Sequence, residues 1–316
     1  MGLNTLILEP QNYNARAINI YKSFGELYYE KIYNYSIIDI LVVRLSVKLS
    51  KNYLKKFKRL KYIVSPTTGL NHIDTEYCYV NGINVISLKG ENIFMEKITA
   101  TPEFTFSVML SLIKNIYIAG FDIKNEKSFN LNRLNYLSKE FNEVKIGIAG
   151  CGRVGKKVYK YCEALNLNAV AFDPFKEDEY FLDNNIKRYK RIKPFLQSID
   201  VLVICISYSL ENINFFSREK LNMLKKGSIL INTSRGEVID EYAILDLLNK
   251  EILHSVALDV ISIENSNNDI LHNKFLNYID KYNNLLITPH IAGASKKSMF
   301  LTELFVAQKL KKILYK

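Results

Sequence analysis

What this chain lacks narrows the field first. It has no tryptophan and only four cysteines, and Cys78, Cys151, Cys162 and Cys205 form no C-x-x-C pair. Three of the four fall inside apolar patterns, so they read as reduced core residues, without a zinc site or a disulfide framework. No uninterrupted apolar run of about 18 residues occurs, which argues against a membrane span. Met1 to Thr5 leads straight into the strand-like Leu6-Ile-Leu8, without the charged start, apolar centre and cleavage site of a secretory signal. Leu6 also stands where an acyl-acceptor motif beginning Met1-Gly2 needs Ser or Thr. The expectation is a cytoplasmic protein with no membrane partner. Internal repeats and low-complexity linkers are missing too.

What is present suits a large folded protein. A length of 316 residues allows two ordinary domains, and 48% apolar content supports a substantial core. The formal charge of +11 raises the question of a polyanion partner. The lysines are spread among many Asn, Ile and Tyr, a bias of the kind a codon preference produces. The densest basic stretches, Lys51 to Lys61 and Lys309 to Lys316, carry apolar residues at helical spacing. They read as solvated helix faces, and no nucleic-acid partner is expected.

Up to about Gly90, strand-like runs (Leu6–Leu8, Ile38–Val43, Tyr62–Val64, Val85–Leu88) alternate with helical patterns (Ala15–Phe24, Tyr53–Leu60). This predicts a first, smaller parallel α/β unit. Thr101-Pro-Glu-Phe starts a helix, with Thr101 as cap and Pro102 in the first helical position. Phe104 to Ile118 is apolar on nearly every face, as in a helix buried between domains. From Val144 the strand–helix rhythm resumes, with strands expected at Val144–Ala149, Asn168–Phe172, Val201–Ile206, Ser228–Asn232, Val256–Asp259 and Leu285–Thr288. Six strands fit a doubly wound nucleotide-binding sheet. A last helix, Lys297 to Leu314, folds back onto the first domain in this reading.

The most specific local signal is Val144-Lys-Ile-Gly-Ile-Ala-Gly-Cys-Gly-Arg-Val-Gly155. An apolar run ends in Gly150-x-Gly152-x-x-Gly155 and flows into a helical pattern with Val154, Val158, Cys162 and Leu165 on one face. A second apolar run ends in Asp173, at about the 20-residue spacing of a ribose-binding acid. Gly150 allows the tight turn, Gly152 lets the backbone approach a pyrophosphate, and Gly155 lets helix and strand pack closely. The N–H groups at Arg153 and Val154 would face the phosphates. A carboxylate at Asp173 accepts ribose hydroxyls and repels a 2′-phosphate, so the expected cofactor is NAD rather than NADP. A glycine triplet alone is weak evidence; strand, helix and acid together make it specific.

Three polar residues stand just past expected strand ends, where open α/β sheets meet ligands. They are Arg235, Glu264 and His290. Each alone would pass for a structural or solvated residue. Together they suit hydride transfer at a carbon bearing oxygen beside a carboxylate. Imidazole exchanges a proton with the alkoxide, and a carboxylate keeps the imidazole charged and oriented. A guanidinium grips the substrate carboxylate and polarises the carbonyl.

On these motifs the chain resembles the NAD-dependent D-isomer-specific 2-hydroxyacid dehydrogenases, the phosphoglycerate dehydrogenase-like group. The resemblance spans essentially the whole chain. It rests on Gly150-Cys-Gly-Arg-Val-Gly155, Ile231-Asn-Thr-Ser-Arg-Gly-Glu-Val-Ile-Asp240, Leu258-Asp-Val260 with Glu264, and Thr288-Pro-His-Ile-Ala-Gly293. It implies two Rossmann-like parallel-sheet α/β domains. A doubly wound NAD-binding domain, 100–290, is inserted in a smaller flavodoxin-like substrate domain, 1–99 plus 291–316. It further implies a cleft between them and a homodimer acting on a small 2-oxo or 2-hydroxy acid.

By the same resemblance Arg235 binds the substrate carboxylate and 2-oxo group, His290 is the acid/base, and Glu264 is its partner. Asp259 holds the nicotinamide carboxamide, and Thr233 lies beside the cofactor. Ser65-Pro-Thr-Thr-Gly69 matches the substrate loop, with Thr68 and Gly69 offering backbone N–H groups. Lys89 stands where some members contact an anionic tail. His72 and Glu103 are expected to be structural. Two departures stand out. Cys205-Ile-Ser-Tyr-Ser209 replaces the usual His and Pro-Leu-Thr run, leaving Ser207 to face the cofactor, and Thr67 replaces the first loop glycine. No regulatory domain is expected after the core, so feedback by serine is not expected either. The rival reading is an NAD-sensing corepressor-like protein on the same fold. Formate oxidation is disfavoured, because those enzymes place Gln where Glu264 stands.

Overall fold

The computed structural model describes residues 2–8, 14–29, 34–126, 133–262 and 270–315. The chain divides into two compact units, Met1–Ile98 with Ala294–Lys316, and Thr99–Gly293.

The first unit holds a five-stranded parallel sheet. Its strands are β1 (Thr5–Ile7), β2 (Leu27–Tyr29), β3 (Ile40–Val42), β4 (Tyr62–Val64) and β5 (Asn84–Ile86), in the order β2-β1-β3-β4-β5. That is the flavodoxin-like order. Both faces are buried, as parallel sheets require. Ile7, Ile40, Val42, Val64 and Ile86 face one core, while Leu6, Leu41 and Ile63 face another. The helix Lys296–Leu314 packs on the helix Ala15–Lys22 and closes the first core with Val306, Ala307 and Leu310.

Two expectations need correction here. The pattern read as a helix over Tyr53–Leu60 is helical only at Lys51–Leu54. Beyond it the chain turns, because Phe57 N–H bonds to the Leu54 carbonyl and Phe57 and Leu60 drop into the core. The basic side chains there are exposed, on turns rather than on a helix face. Strand β2 went unpredicted; it is a half-exposed edge strand without a clear apolar alternation.

The second unit carries a six-stranded parallel sheet. It comprises β6 (Lys145–Ala149), β7 (Asn168–Phe172), β8 (Val201–Ile204), β9 (Ser228–Asn232), β10 (Leu253–Leu258) and β11 (Leu285–Ile287), in the order β11-β10-β9-β8-β6-β7. A single bridge between Ala171 and Arg188 adds a rudimentary strand beyond β7, sealed by Ala171 N–H to Lys187 O and Tyr189 N–H to Ala171 O, both 2.8 Å. Counted with that bridge, the sheet has the 3-2-1-4-5-6 Rossmann order plus a seventh strand. Side chains alternate between two buried layers: Ile146, Ile148, Val203 and Ile231 on one face, and Leu202, Ile204, Leu230 and Leu258 on the other.

The apolar helix Ala100–Ile113 buries Met109, Leu112 and Ile113 in the first of these layers, against β9, β10 and the helix Arg153–Ala164. Its cap is Thr99 rather than Thr101, and Pro102 sits inside the first turn. Proline is tolerated there because first-turn N–H groups have no acceptor within a helix. On the helix Arg153–Ala164 the expected apolar face holds at Val158 and Cys162, but Leu165 is the C-cap and half exposed. Among the described residues no single helix is long and apolar enough to cross a membrane. Cys78, Cys151 and Cys162 are buried, Cys205 is partly buried, and all four are free thiols.

Leu310 is fully buried in the first core. Leu310→Ala should cost about 2–5 kcal/mol, the range for buried Leu truncations. Urea unfolding checks this, and a loss well under 1 kcal/mol would contradict the packing described.

Candidate active site

All six strands of the second sheet point the same way, so their carboxyl ends share one edge. The chemistry-bearing residues of this unit lie on the loops leaving that edge.

The turn after β6 is built as the motif suggests. Gly150 has φ +94°, and a Cβ there would stand 2.8 Å from the Cys205 carbonyl. At Gly155 an added Cβ would meet the Gly150 carbonyl oxygen at 1.9 Å, so the helix root lies hard against the turn. Gly152, the N-cap, has nothing within 4 Å on its Cβ side. Arg153 and Val154 open the helix beside this empty flank, where first-turn N–H groups and the helix dipole favour an anion. Asp173, just past β7, accepts N–H bonds from Cys151 at 2.8 Å and Phe175 at 3.0 Å. Its carboxylate is thereby fixed against the glycine turn. Open flank, positive helix end and oriented acid fit a dinucleotide. Ser207, beyond β8, is exposed, and its carbonyl accepts the Asn212 amide at 2.9 Å.

After β9 the chain is tied in a knot. Asn232 is fully buried; its Oδ1 accepts from Ser234 N–H at 3.0 Å and Ser234 Oγ at 2.8 Å, while its Nδ2 donates to Arg235 O at 2.8 Å. Thr233 shares a 2.7 Å hydroxyl contact with buried Thr105. Arg235 follows, half-buried, with Nη1 donating to Ser234 O at 2.6 Å.

Between β9 and β11, β10 is followed directly by Asp259, which is 2% exposed. Its Oδ1 accepts from Thr288 Oγ1 at 2.6 Å and Ile291 N–H at 2.9 Å, and its Oδ2 accepts from Ala292 N–H at 2.8 Å. The Asp259 carbonyl takes His290 N–H at 2.9 Å. These bonds flank His290, whose φ of +54° is left-handed. Such a conformation at a non-glycine residue costs on the order of 1–3 kcal/mol and persists only where the surroundings enforce it. Asp259 thus shapes the His290 loop, a task additional to the nicotinamide contact expected of it. Burial pushes its carboxyl above the ordinary 3.8, while the bonds from Thr288, Ala292 and Ile291 and the His290 charge pull the other way.

Glu264 lies outside the described residues. In the first unit, the loop after β4 is braced by Ser65 Oγ, which contacts His72 Nε2 at 3.1 Å and Thr67 Oγ1 at 2.9 Å. Thr67 Oγ1 donates to Gly69 O at 2.8 Å, and Thr68 is exposed at the loop's crest. Buried His72 has the structural place expected of it. Lys89 is exposed, its N–H on Ser87 Oγ at 3.2 Å.

Residues 106–292 match the family model of the D-isomer specific 2-hydroxyacid dehydrogenase NAD binding domain, and residues 13–94 match the catalytic domain of the same family. The chain belongs to that family. NAD is accordingly the cofactor of its second unit. D-3-phosphoglycerate dehydrogenase of Archaeoglobus fulgidus is 27% identical over 270 residues, covering 85% of this chain and 48% of its own length. Glycerate dehydrogenase of Methylorubrum extorquens is 28% identical, covering 80% and 76%. The fold is that of D-lactate dehydrogenase from Aquifex aeolicus complexed with NAD and lactic acid, with TM-score 0.83, 23% identity and coverage of 99% and 95%. The chain spans about half the length of the phosphoglycerate dehydrogenases it matches.

Within this dehydrogenase framework two polar residues escaped the sequence reading. Asn232 closes an apolar strand, and that position was its one signal. Glu241 is 4% exposed; its Oε1 accepts Ser262 N–H at 2.8 Å and its Oε2 accepts Ser262 Oγ at 2.6 Å. Gly236, next to Arg235, lies against the same Ser262 backbone: an added Cβ would stand 2.1 Å from Ser262 N. The Arg235 loop and the root of the segment leading to Glu264 are therefore in contact.

Two outcomes follow from this geometry. Asp173→Ala should weaken NADH and narrow its advantage over NADPH in fluorescence titrations; unchanged discrimination would remove Asp173 from the ribose. The folded state holds the Asp259 proton more tightly than the unfolded chain does. Its contribution is therefore fullest below about pH 4 and is lost as pH rises through the folded-state pKa. Wild-type stability relative to Asp259→Asn should decline across that rise in urea titrations. A difference independent of pH would contradict the burial effect.

Proposed function

We propose that this chain is an NAD-dependent D-2-hydroxyacid dehydrogenase, interconverting a 2-oxo acid and the D-2-hydroxy acid. The observation that carries this reading is the shared carboxyl edge: the glycine turn, Arg235 and His290 all leave it, the latter two on the loops that follow the strands either side of β10. Bound NAD supplies or accepts the hydride. Arg235 grips the substrate carboxylate and draws charge from the 2-oxo oxygen, which makes C2 more electrophilic. Thr68 and Gly69 offer backbone N–H groups to the carboxylate. His290, protonated, gives its proton to the oxygen of C2 as the alcohol forms, and in the reverse direction takes it back. Glu264 holds the imidazolium form. Asn232 and Asp259 act through the backbones of Arg235 and His290, keeping both in register. Ser207 and Thr233 border the cofactor.

His290→Ala should lower kcat by about two to four orders of magnitude, the usual range for general acid/base catalysis. NADH affinity should stay nearly intact. Steady-state NADH oxidation with a panel of 2-oxo acids, paired with NADH titration, measures both. Near-normal turnover in the variant would take His290 out of this role.

A further inference from the structure

The peptide groups on either side of Cys151, in the middle of the glycine turn, are both tied down. Asp173 Oδ2 accepts the Cys151 N–H at 2.8 Å. On the other side the Tyr180 hydroxyl donates to the Cys151 carbonyl oxygen at 2.6 Å, within the range of O–H···O bonds. The Cys151 side chain is buried, and burial first, the Asp173 charge second, push its thiol up to about 12. Cys151 therefore meets its polar neighbours through its backbone.

Tyr180 belongs to the short helix Asp178–Asp183, which follows β7. That helix is held from two directions. Phe181 is buried in the same apolar layer as Cys151. Arg188, on the rudimentary strand beyond β7, reaches back with Nη1 to Lys176 O at 3.3 Å and to Asp178 Oδ1 at 2.6 Å. Its guanidinium also lies 4.4 Å from the centre of the Phe181 ring. The Tyr180 ring is half-buried, edge-on to Phe181, with Lys176 Nζ 4.8 Å from its centre. A hydroxyl carried on so restrained a ring fixes whatever it bonds.

The peptide between Cys151 and Gly152 is trans and planar, so its C=O and N–H point in opposite directions. By drawing the Cys151 carbonyl toward itself, Tyr180 turns the Gly152 N–H the other way. Gly152 is exposed, and its N–H makes no hydrogen bond among the described residues. It is the N-cap, and the N–H groups of Arg153 and Val154 follow it, without acceptors inside the helix. Loss of the phenol would let the Cys151–Gly152 peptide rotate. That motion would bring a carbonyl oxygen toward the anion that the helix N-terminus otherwise favours.

We propose that Tyr180 is a positioning residue for the cofactor. By holding the Cys151 carbonyl back, it presents the Gly152 N–H, together with those of the first helical turn, to the pyrophosphate of NAD. Asp173 serves the ribose, whereas the contribution of Tyr180 is confined to the phosphates. The assignment rests on NAD as the cofactor and is independent of the acid/base chemistry proposed for His290.

The test uses the full chain and binding alone. Tyr180→Phe keeps the ring and removes only the hydroxyl. NADH and ADP should each bind about three- to tenfold more weakly, the range that one lost hydrogen bond allows. Adenosine, which has base and ribose but no phosphate, should bind within about twofold of wild type. NADH fluorescence titration gives the first affinity, and displacement of NADH by ADP or adenosine gives the other two. Unchanged NADH and ADP affinities, with or without a fall in stability, would reduce Tyr180 to a packing residue and overturn the assignment. Equal weakening of adenosine would move the effect to the ribose and overturn it as well. Should the variant not fold, the wild-type protein carries the test through amide hydrogen exchange. ADP, and not adenosine, should slow exchange at Gly152. An amide already protected in the free protein, or one that ADP leaves unprotected, contradicts the orientation described.

Discussion

Asp259 carries a charge-bearing group into a place where charge is unwelcome, and the carboxyl edge of the second sheet depends on how that conflict is met. Three donors from the loop after β11 converge on its carboxylate. Its own carbonyl holds a fourth, the His290 amide. The arrangement is mutual. The loop supplies the solvation that the buried acid has lost, and the acid supplies the restraint that keeps His290 in a backbone conformation it would not otherwise adopt. A hydrophobic residue at this position would relieve the burial and release the loop.

The same logic recurs along the edge. Asn232 ties Ser234 and Arg235, and Glu241 ties Ser262. In each case a buried polar side chain is satisfied by backbone groups of a loop together with a hydroxyl from that same loop. Rigid strands alone would leave those loops loose. The buried acceptors convert strand position into side-chain position, which is the precision acid/base chemistry needs.

Much of this was legible in the sequence where the determining physics is local. The glycine turn, its helix and Asp173 follow from backbone sterics within about 30 residues, and the six strands of the second sheet follow from their apolar runs. Elements fixed by distant partners were not. The edge strand Leu27–Tyr29 and the single bridge at Arg188 exist because a neighbouring strand offers hydrogen bonds, not because their own residues insist. The run Tyr53–Leu60 has helical periodicity, but the core claims Phe57 and Leu60 from a turn. The tasks of Asn232, Glu241 and Asp259 were hidden for a different reason: their partners include backbone groups of distant or turning chain, which carry no sequence signature. Arg44 and Glu303 form an ion pair across most of the chain's length, and nothing local marks either one.

The first unit is assembled from two stretches of chain separated by the whole of the second. Val306, Ala307 and Leu310 fill its core from the far stretch. During synthesis the ribosome therefore releases a contiguous second unit able to fold at once, while the first waits with an unfilled apolar face until the helix Lys296–Leu314 emerges. Closure over so long a separation is slow relative to local folding. A newly made chain passes through an interval in which its cofactor-binding half is finished and its other half is still exposed to aggregation and proteolysis.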